Sequence, residues 1–304
     1  MNIPVLKIEG ETLPEVWEKS ILEVREKGCD IKTEYDKEED PPSKDTSVIL
    51  VIHDPLKEPR IHKGGFPGGY DDLEVYKHEV INGVRDHWVN PKEGKWEYTY
   101  SQRLTNYSAL PDQNKGEKLH WDTTVRVNQM EKMYQKVLEC GYTRRAQAVT
   151  WDANIDMDVY DPPCLQRFWL RLLGDTLNWN THFRSNDLFK AAFMNMWAFI
   201  EWFRLFAERL SGDLGRDIKV GRYCHMVDSY HLYGSYEKDI EDFLQTLKDR
   251  SWEERVISSL DENVQYSFEY GRERLLKEKK KEFENGIITK ERYEELVYLI
   301  KNNN

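Results

Sequence analysis

Between Thr176 and Ser185 the chain alternates without interruption. Leu177, Trp179, Thr181 and Phe183 fall on one side, and Asn178, Asn180, His182 and Arg184 on the other. Period-two alternation marks a strand with one face buried and one face open. Gly174-Asp175 before it reads as a tight turn. Ahead of that turn, Cys164 to Leu173, entered through Pro162-Pro163, reads as a second strand. A hairpin with one apolar face needs a cover, and the stretch Ala191 to Leu210 supplies it. Asn195, Glu201, Arg204, Glu208 and Arg209 interrupt that stretch, so it is a core helix (Asp187 to Leu210) rather than a membrane span. The expected class is α+β, a mixed sheet with helices packed on one face.

The rest of the chain fills in around this unit. Leu13 to Lys27, Leu73 to Trp88 and Val125 to Cys140 have helical spacing, and Thr46 to His53, Arg144 to Trp151 and Ile218 to Met226 read as strands. Residues 30–45, with Pro41-Pro42, the glycine-rich 62–72 and the segment 90–122 around Trp96, Tyr98 and Tyr100 read as loops. The 62–72 loop contains no GxGxxG or GK[ST] phosphate fingerprint. From Ser235 the chain is charged and helical, turning at Asn285-Gly286. The expected division is 1–90, a catalytic core at 91–242 and a helical extension at 243–304, all in one continuous domain. Cys29, Cys140, Cys164 and Cys224 have no CxxC spacing, so neither a metal site nor a disulfide framework is expected. The N-terminal residues lack the basic and apolar regions of a signal peptide, so the expected compartment is the cytoplasm, without a membrane. Lys plus Arg number 44 against 55 Asp plus Glu, a net charge of −11. That excludes a broad polymeric nucleic-acid surface but not a pocket for one small anion, because the acidity sits mainly in the flanking regions.

Four segments carry candidate chemistry. Cys164 follows two prolines at a strand start. A buried strand cysteine is usually a small hydrophobe, but neighbouring strands carry Arg144-Arg145 and Arg184, and a guanidinium favours a reactive thiolate. In Arg184-Ser185-Asn186-Asp187, Ser185 or Asp187 reads either as a helix N-cap or, with Arg184, as part of an anion site. Arg144 and Arg145, adjacent in a strand, would point to opposite faces, which suits a subunit interface better than one internal phosphate site. Asn195 interrupts an apolar helix face and offers both a donor and an acceptor, matching the O4 and N3–H edge of uracil. His231 and Tyr233, two apart at a strand end, either hold a sugar hydroxyl or are structural hydrogen bonders.

In their order, RRAQAVTW (144–151), PPCLQRFW (162–169), RSNDLFKAAFMN (184–195) and DSYHLYGSY (228–236) resemble the thymidylate synthase and pyrimidine hydroxymethylase superfamily across residues 95–242. YTYSQRL and RRAQA are most similar to its divergent archaeal-type branch. The resemblance implies that Cys164 is the nucleophile at carbon 6 of a pyrimidine nucleoside monophosphate. It gives the 5′-phosphate to Arg184 and Ser185, with Arg144 and Arg145 reaching across a homodimer formed through the sheet. It gives the pyrimidine to Asp187 and Asn195, and the sugar to His231 and Tyr233. Tyr98 or Tyr100 matches a tyrosine near the base, Glu79 (or, failing it, Glu74) the glutamate that organises water and protons, and Lys32 stands in for a further phosphate-binding arginine. The implied one-carbon donor is 5,10-methylenetetrahydrofolate. Thiol addition makes carbon 5 nucleophilic; hydride from the folate then gives a methyl group, and water gives hydroxymethyl. Methylation of dUMP is expected from Asn195. Hydroxymethylation of dUMP, dCMP or CMP is the alternative raised by the charged C-terminal segment, and a non-catalytic nucleotide-binding module is the remote one.

Overall fold

The computed structural model describes residues 2–33, 36–109 and 125–302. The part of the 90–122 loop beyond residue 109 lies outside these. The strands are β1 (Val5–Gly10), β2 (Cys29–Ile31), β3 (Ser43–Ile52), β4 (Ile61–His62), β5 (Tyr107–Ala109), β6 (Val125–Val127), β7 (Gln147–Val149), β8 (Leu165–Leu173), β9 (Thr176–Asp187), β10 (Lys219–Leu232) and β11 (Val256–Ile257). The helices are α1 (Leu13–Lys27), α2 (Tyr70–Asn82), α3 (Tyr100–Thr105), α4 (Gln129–Glu139), α5 (Ala192–Leu214), α6 (Glu237–Asp249), α7 (Trp252–Arg255), α8 (Glu262–Glu284) and α9 (Lys290–Asn302).

Among the described residues the main sheet runs β1-β3-β10-β9-β8-β7, with β2 also on β3. β1 is parallel to β3 and β9 to β10; the other pairs are antiparallel. The sheet is therefore mixed, and α1, α4 and α5 pack on one face. The alternation of β9 survives intact: Leu177, Trp179, Thr181 and Phe183 are fully buried under α5, among Phe199, Phe203 and Phe206. The opposite face carries Ile49, Arg167, Trp169, Asn180, His182 and Arg184, exposed or half-buried.

Several boundaries differ from the sequence reading. β1 was not expected; only Leu6-Lys7-Ile8-Glu9 of its VLKIEG alternates apolar and charged residues, and pairing with β3 decides it. β3 extends back to Ser43, into the expected loop. The expected helix to Trp88 stops at Asn82, because Gly83 adopts φ +60° and a Cβ there would lie 2.5 Å from Ser101 Oγ. Val125–Val127 is a strand paired with β5, and α4 begins only at Gln129. The strand expected over 144–151 is only Gln147–Val149. The 62–72 loop is not wholly superficial: Phe66 is buried and stacks on Phe193. β9 runs to Asp187 because β10 continues to pair with it, His231 opposite Asp187, so α5 starts at Ala192. The intervening turn is pinned by Trp17, fully buried, whose Nε1 donates to Leu188 O at 2.9 Å.

Candidate active site

Cys164 stands immediately before β8, on a loop that β9 holds. Arg184 donates from Nη2 to Pro162 O (2.7 Å) and from Nε to Pro163 O (3.2 Å), and its backbone N–H donates to Cys164 O at 2.9 Å. The same Nη2 lies 3.8 Å from Cys164 Sγ. Arg184 thus braces the cysteine from the side of the sheet opposite α5. Sequence reasoning expected the guanidinium to favour the thiolate. It does pull the thiol pKa down, but burial pushes harder and Asp161 adds to it, so the thiol sits above its ordinary value. A half-buried thiol with a single partly committed cation is held protonated.

Sγ opens on a cavity of about 680 Å3. Its walls include Glu79, Tyr98, Tyr100, Ser185, Asp187, Asn195, His231 and Tyr233. Residues from β9, α5, β10 and the 79–100 region, far apart in the chain, therefore meet Cys164 at one cavity. Arg184 touches Cys164 without lining the cavity. Arg144 and Arg145 are exposed ahead of β7, not on opposite faces of a strand, and neither reaches the cavity within one chain. Lys32 is also away from it. Its Nζ is taken by the carbonyl oxygens of Lys37 (3.1 Å) and Asp40 (2.8 Å), closing a surface loop.

The two glutamates separate cleanly. Five residues on a helix turn it by about 140°, so Glu74 and Glu79 leave α2 in different directions. Glu74 faces Lys77 (2.8 Å), His78 (3.2 Å) and Arg272 (2.9 Å). Burial raises its pKa, but His78 and Lys77 win and hold it at about 2. That is a structural ion cluster outside the cavity. Glu79 lines the cavity, and Arg85 Nη1 pairs with it at 2.9 Å. Burial is the larger influence there and raises its pKa despite Arg85.

Of the two tyrosines, Tyr98 is within hydrogen-bonding reach of the Cys164 thiol and backbone. Tyr100 lies behind it, its ring 5.5 Å from that of Tyr98 and against Phe183 and Phe199. His231 is buried and Tyr233 packs edge-on at 4.6 Å. Nδ1 of His231 donates to Ser229 O at 3.2 Å, which leaves Nε2 as an acceptor, and Nε2 has no partner among the described residues. A buried, unpaired acceptor beside the cavity fits a ligand hydroxyl. Asp187 caps the turn rather than the helix: Oδ1 accepts from the Phe189 and Lys190 N–H groups at 2.9 and 3.0 Å.

Two wall residues were missed. Tyr76 lies one turn before Glu79 on α2, and its hydroxyl donates to Asn195 Oδ1 at 2.5 Å. Asn186 accepts at Oδ1 from His225 Nε2 (3.0 Å), while His225 Nδ1 is met by Thr181 Oγ1 (2.9 Å). Burial drives the His225 pKa down to about 3, so this support stays neutral. The i, i+3 spacing of Tyr76 and Glu79 was the available signal for the first; nothing in the sequence distinguished the second from a turn asparagine. A larger cavity, about 890 Å3, lies between α2, α4, α5 and α9, beside Asp86, Trp202 and Arg209, and contains none of the expected residues. Among the described residues no cluster of three or more His, Cys, Asp or Glu is set to hold a metal ion, and no helix is long and apolar enough to cross a membrane.

A sequence profile of the family described as Thymidylate synthase matches residues 66–282. Proteins named "Putative thymidylate synthase" are similar to the chain in several archaea. The one from Methanopyrus kandleri is 27% identical over 195 residues, 63% of this chain and 78% of that protein. That from Methanococcoides burtonii is 28% identical over 195 residues, 64% and 77% of the respective chains. That from Methanocaldococcus jannaschii is 23% identical over 234 residues, 75% and 91%. The matched span takes in Cys164 and every residue gathered around its cavity, and the chain belongs to the thymidylate synthase family, in its divergent archaeal-type branch.

Proposed function

We propose that the Cys164 cavity transfers a one-carbon unit from 5,10-methylenetetrahydrofolate to carbon 5 of a pyrimidine nucleoside 5′-monophosphate, dUMP to dTMP in the favoured case. The observation that carries the reading is the convergence of Cys164, Glu79, Asn195 and the unpaired His231 Nε2 on one cavity. As Cys164 Sγ bonds to carbon 6 its proton passes to water, the carbon 5–carbon 6 electron pair moves onto O4, where Asn195 Nδ2 donates to it, and the cysteine leaves again after carbon 5 has taken the one-carbon unit and given up its proton. Glu79, with its raised pKa, exchanges a proton near O4 and carbon 5 through water. Tyr98 shields and orients the thiol. His231 Nε2 accepts from a sugar hydroxyl, with Tyr233 beside it. Ser185 and the remaining Arg184 N–H groups take the phosphate, completed by Arg144 and Arg145 of a second subunit in a homodimer formed through the open sheet face. The folate supplies the carbon and, for a methyl product, the hydride.

A second reading has its own observation. α8 and α9 close a separate apolar cluster with α2, through Val75, Leu275, Leu296 and Ile300, and none of their residues lines the cavity. Without a cover from that side, water competes with hydride and the product is hydroxymethyl. Incubation with dUMP, dCMP or CMP and methylenetetrahydrofolate, followed by product mass and dihydrofolate absorbance, separates the two. A methyl mass gain with dihydrofolate is expected; a hydroxymethyl gain without it selects the second reading. Cys164→Ser should lower tritium release from carbon 5 by several orders of magnitude and leave nucleotide binding nearly intact. Nucleotide binding by the wild type with no release at all would leave only a binding module.

A further inference from the structure

We propose that Tyr76 is a specificity-determining residue: by donating its hydroxyl proton to Asn195 Oδ1 it fixes that amide with Nδ2 toward the base, and so selects a pyrimidine with a carbonyl at carbon 4 over one with an amino group. The proposal rests on the nucleotide reading above.

The two ends of an asparagine amide have nearly the same shape and opposite hydrogen-bonding sense. Asn195 alone therefore does not choose between uracil and cytosine, because a half-turn of the amide converts a donor facing the base into an acceptor. Something must hold the amide one way round. Tyr76 and Asn195 come from different helices, α2 and α5, and both line the cavity. The contact between them is short, 2.5 Å, with the phenol as donor and Oδ1 as acceptor.

Its environment keeps Tyr76 a donor. Burial raises the phenol pKa well above its ordinary value, and Glu79, Tyr98 and Cys164 around it act in the same direction. With the amide reversed, Nδ2–H would donate to the phenol oxygen and the phenol O–H would lose its acceptor. A half-buried donor left unpaired is costly enough to bias the orientation about tenfold. With Oδ1 fixed toward Tyr76, its second lone pair remains for N3–H, and Nδ2–H is the group that meets position 4 of the base. It pairs with O4 of uracil and meets the amino group of cytosine donor to donor, the arrangement by which a hydrogen-bonding site rejects an analogue.

Calorimetric dissociation constants for dUMP and dCMP, measured on the full-length wild type, Tyr76→Phe, Asn195→Asp and the double variant, test this. Phenylalanine keeps the ring and removes only the hydroxyl. The preference for dUMP over dCMP is expected to fall about tenfold in Tyr76→Phe, largely through tighter dCMP binding. Asn195→Asp, which presents an acceptor whichever way it turns, should favour dCMP with or without the Tyr76 hydroxyl. An unchanged ratio in Tyr76→Phe, or a Tyr76 effect of equal size in the Asn195→Asp background, overturns the proposal. A uniform loss of affinity for both nucleotides overturns it too, because that marks a merely structural role. If the wild type binds neither nucleotide, it is the nucleotide reading that fails.

Discussion

Arg184 commits two of its N–H donors to the carbonyl oxygens of Pro162 and Pro163, and only what remains of its charge acts on Cys164. Its removal therefore has a definite sign. The cation favours the thiolate, so Arg184→Gln should move the pH midpoint of Cys164 alkylation upward, measured with a small haloacetamide on a variant lacking the other three cysteines. A midpoint that stays put would mean that burial, Asp161 and Tyr98 set the thiol without Arg184. Cys164, Ser185, Asp187, Asn195, His231 and Tyr233 were legible in the sequence because they sit in contiguous motifs. Tyr76 was not, because a tyrosine among Leu73, Val75 and Val80 reads as one more core residue until its hydroxyl is seen on Asn195. The thiol's raised pKa was misjudged for a related reason: charge is written in sequence, and desolvation is not.

At the level of elements, α2 is the hinge between the cavity and the C-terminal arm. Arg85, just beyond it, divides its guanidinium between Glu79 (2.9 Å) and Glu278 of α8 (3.5 Å). Tyr76, Asp86, Arg85 and Glu278 are the ionisable groups around Glu79. Arg85 stabilises the Glu79 carboxylate and Glu278 opposes it. Arg85→Gln should therefore shift the activity limb governed by Glu79 to higher pH, and Glu278→Gln should shift it to lower pH. Profiles of kcat/KM against pH check both; shifts of the same sign, or none, would detach α8 from the reaction. The β8–β9 hairpin was readable because the alternation of β9 is uninterrupted from Leu177 to Arg184. The start of α5 was misplaced by more than a turn, since local propensity cannot register that β10 goes on pairing with Ser185 and Asp187. β1 escaped for the same reason, being held by β3 rather than by its own composition.

Among the described residues, one sheet face is sealed by α1, α4 and α5 and the other is open. The charge of −11 is no obstacle to an anionic substrate, because the cations that matter are local. Arg144 and Arg145 are exposed, and in the proposed site they act from the partner subunit. In the proposed dimer, Arg144→Ala and Cys164→Ala variants are each inactive, and mixing them restores up to about a quarter of wild-type activity, because one site in a mixed dimer is intact and half of a random mixture is mixed. Activity assayed after verified subunit exchange checks this; no recovery would place the phosphate site within a single subunit.

Arg184 shares the open face with Asn180 and His182, yet its guanidinium ends beside Cys164. Whatever settles on that face alters the dielectric around the cation that acts on the Cys164 thiol. If the proposed dimer forms through that face, association and thiol reactivity belong to one linked equilibrium, and dilution changes the chemistry of each site as well as the number of complete sites.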